Sequence, residues 1–251
     1  MLLPSDAVSD DLLTPTDAAP PLLVLLIGLA VTPTVLFGFG MLRSMWITYL
    51  SLYYLWIVAP SLVCFCYSGS RKLVQSGLRR AMRRQRFQLG LAIGVVPLAV
   101  GLLLLGYHVL APPLGIDEDR LKPSLGMFGL TPSQVFSDLG ALAWLTFLNP
   151  FMEEFFWRVF VFEHLRMATR RWWLPCLITS FVYAMYHVPV VCNFLPLPLV
   201  ALGFIGLVSL GVVLQVVVEH VGIIFSVGIH LAFDAVASLI VTDILWRWGL
   251  I

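Results

Sequence analysis

Charge is what this chain has least of. Only 12% of its 251 residues are Asp, Glu, Lys or Arg, while 60% are hydrophobic, and the mean hydropathy is +0.95. A soluble domain is nearer a quarter charged and half apolar. A water-soluble globular fold is therefore excluded, and the chain reads as an integral, multi-pass membrane protein whose first partner is the lipid bilayer. The net charge is +1, and no basic patch studded with aromatics occurs, so no nucleic-acid partner is expected. Residues 1–20 contain no Lys or Arg, which excludes a cleaved signal peptide with its basic leading region. Their four Asp and three Pro residues read as a disordered acidic lead. Cysteine is also sparse. Cys64, Cys66, Cys176 and Cys192 lack the spacing of a zinc knuckle, and in or beside apolar runs they are expected as buried thiols. There is no internal repeat, no low-complexity tract and no separate soluble domain.

What the chain does contain is a series of apolar runs, each near the length of about 20 residues that crosses a bilayer. They fall at about 21–42, 45–67, 87–110, 141–165, 174–194, 197–218 and 221–240. The expected fold class is all-α: a polytopic bundle of about seven transmembrane helices, one domain over 21–251, with a polar cavity inside the membrane. Seven of the fifteen cations (Arg71, Lys72, Arg79, Arg80, Arg83, Arg84 and Arg86) share one loop. Arg166, Arg170 and Arg171 share another, followed by Trp172 and Trp173 at a membrane interface. Seven spans place both loops, 71–86 and 166–171, on the cytoplasmic side, as the positive-inside rule requires, in a bacterial-type cytoplasmic membrane. The N-terminus is then inside and the C-terminus outside. A polar loop follows the third span, from Gly115 to Ser133, and carries Asp117, Glu118 and Asp119.

Against this background, Glu153 and Glu154 stand out, adjacent and inside the fourth apolar run. A charged group at the centre of a membrane helix costs about 2.5–3.5 kcal/mol on insertion scales, so it implies function by default. Glu154 and Arg158 are four apart and share a helix face, where they can pair. Glu153 is turned about 100° away, which leaves it no partner from its own helix. The other ionisable residues well inside spans are His187 in the fifth and His230 and Asp234, again four apart, in the seventh. Inward-facing, these groups from three helices would meet at similar depth in one wet cavity, where such groups are tolerated. His108, Asp138, Glu163, His164, Glu219, His220 and Asp243 fall near span ends and are expected to be snorkelling or capping groups within reach of water.

A carboxylate with two imidazoles and a further acid is an inventory for a proton relay, a metal site or a hydrolytic centre. Amide hydrolysis needs a base to take a proton from water and donors to hold the oxyanion. A glutamate withdrawn from water is a better base, one histidine beside it can orient the water, and a second can donate to the oxyanion. The rival is a metal held by Glu153, His187 and His230, with Asp234 fourth. None of these lies in H-E-x-x-H, the compact helical zinc signature. No cofactor is expected, and a divalent metal stays open.

Asn149-Pro150-Phe151-Met152-Glu153-Glu154 followed by Arg158 resembles the E-E-x-x-x-R motif of the CPBP family, the group of intramembrane proteases that includes Ras-converting CAAX proteases and bacteriocin-processing enzymes. Tyr183 to His187 resembles the family's second motif, F-x-x-x-H, and His230 to Asp234 its third, H-x-x-x-N or D. The resemblance covers about 140–240. It implies a glutamic-type endopeptidase, formerly called a metalloprotease, that acts on a membrane-associated protein or peptide. It implies that Glu153 is the general base, His187 its water-positioning partner, His230 and Asp234 oxyanion support, and Glu154 and Arg158 a supporting pair. Three positions depart from the pattern. Tyr183 replaces Phe, adding a hydroxyl that could enter the cavity. Val159 stands where Gly commonly follows the motif Arg. Asp234 stands where the CAAX branch has Asn; it is either protonated or, as preferred here, the acceptor that orients His230. The last departure argues against authentic prenyl-CAAX cleavage. A non-catalytic scaffold or immunity factor that keeps the motif, and a proton-coupled transporter, are the alternatives outside hydrolysis.

Overall fold

The computed structural model describes residues 17–83, 85–114, 116, 135–169 and 171–247. The lead residues 1–16, the acidic part of the 115–133 loop, Arg84, Arg170 and the side chain of Asp138 lie outside the described residues. In chain order the helices are α1 (Pro21–Met41), α2 (Met45–Cys66), α3 (Ser68–Ala81), α4 (Gln85–Leu110) and α5 (Val135–Phe147). Then come α6, made of Asn149–Glu154, a wider π-type stretch Phe155–Val161 and Phe162–Thr169, α7 (Trp173–Phe194), α8 (Leu197–His220) and α9 (Ile223–Arg247). Among the described residues there is no strand.

Six of these helices, α1, α2, α4, α7, α8 and α9, are long and apolar enough to cross a membrane. The expected fourth span is different. Pro150 has no N–H to donate to the preceding turn, and the helix breaks at Leu148 into α5 and α6. Helix α6 carries Glu153, Glu154, Arg158, Glu163 and Arg166, too many charges for contact with lipid. It is instead the core of the bundle, with every residue from Phe156 to Leu165 buried. The outer helices take the lipid-facing role: Phe65 and Leu197 are more than four-fifths exposed, and the exposed faces of α4 and α8 are Leu, Ile and Val.

Polar contacts tie one end of the bundle together. The Ala19 N–H donates to Ser70 Oγ at 2.8 Å, and His164 Nε2 lies 2.8 Å from the same hydroxyl. Arg80 pairs with Glu163, Arg166 pairs with Glu163 at 2.9 Å, and both arginines lie 4.0 Å from Glu219. Gln88 at the start of α4 accepts from Ile224 N–H at 2.9 Å at the start of α9. The turn between α8 and α9 needs Gly222, whose φ is +133° and whose missing Cβ leaves room for the Gln88 amide.

Several expectations change here. The basic 71–86 segment is mostly helix rather than loop: α3 buries Leu73, Val74, Gly77 and Ala81 and exposes Arg71, Lys72, Gln75 and Arg79. Residues 17–20 of the acidic lead are ordered against it, with Ala18 and Ala19 buried. Glu163 and His164 are buried, not at a wet helix end, because α3 covers them and supplies their partners. Only Cys176 of the four free cysteines is buried; Cys64 is half-buried, and Cys66 and Cys192 are exposed. A thiol is small and apolar enough to face lipid as readily as core.

Candidate active site

Helix α6 brings Glu153 and Glu154 to the middle of the bundle, α7 brings Tyr183, Tyr186 and His187, and α9 brings Ser226, His230 and Asp234. Glu153 is 2% exposed and Glu154 0%. Neither faces lipid, because the one face of α6 that does is marked by Phe151. The π-type stretch begins directly after Glu154. Such stretches widen a helix by one residue per turn and are frequent at functional sites.

Each carboxylate has its own set of partners. Glu154 accepts from Ser226 Oγ at 2.5 Å and from Arg158 Nε at 3.4 Å on Oε2, and from His230 Nδ1 at 3.0 Å on Oε1. The expected Glu154–Arg158 pair is thus present, with both side chains fully buried. Glu153 accepts from Asn149 Nδ2 at 2.6 Å on Oε1 and from the Tyr186 hydroxyl on Oε2. Its Oε2 also lies 3.8 Å from His230 Nε2. Glu153 therefore does have a partner on its own helix, Asn149, one turn earlier. The i, i+4 rule that pairs Glu154 with Arg158 applies to Asn149 and Glu153 in the same way.

The second correction concerns Asp234. The acceptor that orients His230 is Glu154, since Nδ1–H is committed there; Asp234 Oδ1 is 3.9 Å from Nε2, outside hydrogen-bond range. Asp234 instead accepts from Asn149 Nδ2 at 3.3 Å. One amide group thus bridges the carboxylates of Glu153 and Asp234 from α6 to α9, and His230 Nε2 faces both.

His187 lies beside this cluster, half-buried. Its Nδ1–H donates to the Tyr183 carbonyl at 2.8 Å, which leaves the Nε2 lone pair free in the neutral ring. The ring packs against Tyr186 (centroids 4.0 Å apart) and Tyr183 (4.6 Å), and Tyr183 also contacts the His230 ring edge-on at 6.1 Å. The two histidines are thus on the same side of the bundle, with the Tyr183 ring against both. On its other side Tyr183 carries the Arg158 guanidinium, 4.9 Å from the ring centroid, so its aromatic face is a cation–π platform. Val159 is buried beside Arg158 in the π-type stretch.

Among the described residues, no three His, Cys, Asp or Glu side chains are placed to hold a metal ion together. Glu153, His187 and His230 do not converge as ligands, because His230 Nδ1 faces Glu154 and two tyrosine rings pack around His187. Three polar contributors were missed at the sequence level: Asn149, Tyr186 and Ser226. Asn149 and Ser226 were accessible to the spacing rule, each four residues before a singled-out residue, and Tyr186 is adjacent to His187.

The arrangement gathers a buried carboxylate, two imidazoles and amide and hydroxyl donors. It has the parts of a general base and an oxyanion site. Residues 135–236 match the family model described as type II CAAX prenyl endopeptidase Rce1-like. The match supports a CPBP family intramembrane protease and spans all three motifs, on α6, α7 and α9. Comparison with curated proteins and with solved structures finds no match.

Proposed function

We propose that this protein hydrolyses a peptide bond of a membrane-associated protein or peptide by a glutamic mechanism centred on Glu153. The observation that carries the reading is the double anchoring of the Glu153 carboxylate inside the bundle, by Asn149 from α6 and Tyr186 from α7, with His230 Nε2 3.8 Å away. A structural ion pair needs none of this. The cationic group nearest Glu153 is the His230 ring, since Arg158 serves Glu154.

In the proposed reaction, water bound between Glu153 and His187 Nε2 gives a proton to Glu153 as its oxygen bonds to the scissile carbonyl carbon. The carbonyl π electrons move to oxygen, and His230 Nε2–H and the surrounding donors stabilise the oxyanion. The C–N bond then breaks with the electron pair going to nitrogen, and Glu153 returns the proton to the leaving amine. As the C–N bond breaks the oxyanion's electrons re-form the carbonyl, so the products are a carboxylic acid and an amine, which become carboxylate and ammonium by passing one proton, and one water is consumed. Asp234 contributes as a counter-charge to His230 and, through Asn149, as a spacer for Glu153. Arg158 and Glu154 fix the orientation of the His230 ring, which as the doubly protonated imidazolium donates Nδ1–H to Glu154 and Nε2–H to the oxyanion. The end bearing α3 and Arg166 is assigned to the cytoplasm by its cations.

The test is cleavage of a quenched-fluorescent peptide ending in a CAAX sequence, prenylated and unprenylated, by the full chain in proteoliposomes, with the membrane proteomes of wild-type and Glu153→Ala cells compared in parallel. Loss of a cleavage event in the variant supports the reading. Normal processing by Glu153→Ala rules it out, and metal analysis of the active protein decides whether a cation takes part.

A further inference from the structure

One set of buried polar atoms has no partner in the arrangement above. Arg158 is 1% exposed, and its Nη1 and Nη2 have no hydrogen-bond partner among the described residues. Gln215, in the last third of α8, is 0% exposed, and neither amide atom has one. The buried hydroxyl of Ser180 is in the same position.

These groups lie where α6, α7 and α8 meet. Arg158 Nε and Ser226 Oγ share Glu154 Oε2, and Ser226 Oγ also lies 3.5 Å from the Leu214 carbonyl, next to Gln215. One turn along α8 from Gln215, Gly211 lies so close to α7 that an added Cβ would sit 2.8 Å from Ser180 Cβ. Ser180 is three residues before Tyr183, over whose ring the Arg158 guanidinium rests. A guanidinium only donates, and an amide both donates and accepts. Four N–H groups on Arg158 and a whole amide cannot remain unpaired in a protein interior. A direct bond from Arg158 to the Gln215 amide oxygen would serve that oxygen and one guanidinium N–H but leave the amide N–H2 unpaired, and the two do not bond. The species that accepts from both and donates to the amide oxygen is water.

We propose that the space bounded by Arg158, Gln215 and Ser180 is an ordered-water site, and that Gln215 is a positioning residue acting through that water on the Arg158–Glu154–His230 chain. The site lies about one turn of α8 from the basic end. Glu219, one turn further along α8, is partly exposed and lies 4.0 Å from both Arg80 and Arg166. The water stands on the Arg158 side of Glu154, behind the carboxylates. It completes the guanidinium's hydrogen bonds, so that Arg158 stays on Glu154 and Glu154 keeps His230 in its orientation. The effect on turnover rests on the hydrolytic reading of the site; the water itself does not.

The experiment is a diffraction structure of the full-length protein in a lipidic mesophase, with Gln215→Leu, a near-isosteric change, solved alongside. Expected is water density within hydrogen-bond distance of both the Gln215 amide and an Arg158 Nη, lost in the variant. A direct Arg158–Gln215 bond, or no density between them, overturns the site. In the peptide assay Gln215→Leu is expected to lower kcat by roughly tenfold with KM unchanged, as for a slightly misplaced catalytic group, and Gln215→Asn to recover part of it. An unchanged kcat for Gln215→Leu overturns the link to turnover. If Glu153→Gln cleaves normally, the hydrolytic reading falls, while the water density is unaffected.

Discussion

His230 Nδ1 lies 3.0 Å from Glu154 Oε1, a contact that joins the third motif to the first across 76 residues of chain. Glu154 is also the buried counter-charge of Arg158. Removing one member of a buried ion pair costs about 3–5 kcal/mol, because the other is left uncompensated. Glu154→Gln is therefore expected to lower the thermal unfolding midpoint in detergent markedly. Replacing the pair together, as Glu154→Gln with Arg158→Met, is expected to recover part of that loss. If the double variant is as unstable as the sum of its singles, the pair is not coupled as the geometry implies.

Glu153 is expected to behave in the opposite way. Its carboxylate rests on two neutral donors, with His230 Nε2 3.8 Å away, so Glu153→Gln keeps the volume and removes a buried charge. The unfolding midpoint should hold or rise, while cleavage falls by about 10²–10⁴, the usual contribution of a general base. Tm and initial rate measured on the same preparation separate the two effects. A variant that loses both together would mark Glu153 as structural.

Asn149 and Tyr186 supply the hydrogen bonds to Glu153. Asn149→Ala and Tyr186→Phe each remove one donor and free the carboxylate to turn, and each is expected to cut kcat by roughly tenfold or more with little change in KM. Asn149→Asp is the harsher change. It replaces the bridging amide by a third acceptor between Glu153 and Asp234, and should lose more activity than Asn149→Ala. Equal rates for the two Asn149 variants would show that the amide does not separate the carboxylates.

The residues singled out for the site were readable from the chain because they depart from its composition. A Glu pair, a His and a His–Asp pair in apolar helices have few explanations, and the structure buries them together. Their partners were harder to see. Asn149 and Ser226 are neutral, cost little in a helix and attract no attention, although they obey the same four-residue spacing. The orientation of His230 was assigned to the wrong acid for a related reason. Spacing along α9 puts Asp234 near His230, but spacing cannot show that Glu154 arrives from α6 at shorter range. Helix α3 was read as a loop because its cations dominate the segment, whereas its buried stripe of Leu73, Val74, Gly77 and Ala81 was the better signal. The break at Leu148 was foreshadowed by Pro150, but only the bundle reveals that the helix after it is wrapped by the others rather than by lipid.

That wrapping makes Gly77 a sensitive position. An added Cβ there would lie 2.8 Å from Glu163 Cγ, and Glu163 is held between Arg80 and Arg166. Gly77→Ala has to push Glu163 out of this clamp or lift α3 from α6, a packing strain of about 1–3 kcal/mol. The expected result is a lower unfolding midpoint and faster proteolysis of α3, with KM little changed because Gly77 is far from the substrate cavity. A neutral Gly77→Ala would show that α3 can shift freely over α6.

Asp234 offers the most direct probe of substrate choice. It sits 3.9 Å from His230 Nε2 and accepts from Asn149 at 3.3 Å. Asp234→Asn keeps the shape and the oxygen that Asn149 needs, so folding should be undisturbed. It also removes a negative charge from beside the developing oxyanion and adds an N–H that can donate to it, a change that electrostatic stabilisation of the transition state favours. On the prenylated CAAX peptide Asp234→Asn is expected to cleave several-fold faster than wild type, about 1 kcal/mol of barrier. The natural substrate need not follow, because an enzyme keeps an acid at such a position only where its charge serves binding. The comparison that decides is the ratio of kcat/KM for prenylated and unprenylated peptides in the two proteins. If Asp234→Asn slows both peptides alike, Asp234 serves the reaction through the charge on His230 rather than through the choice of substrate.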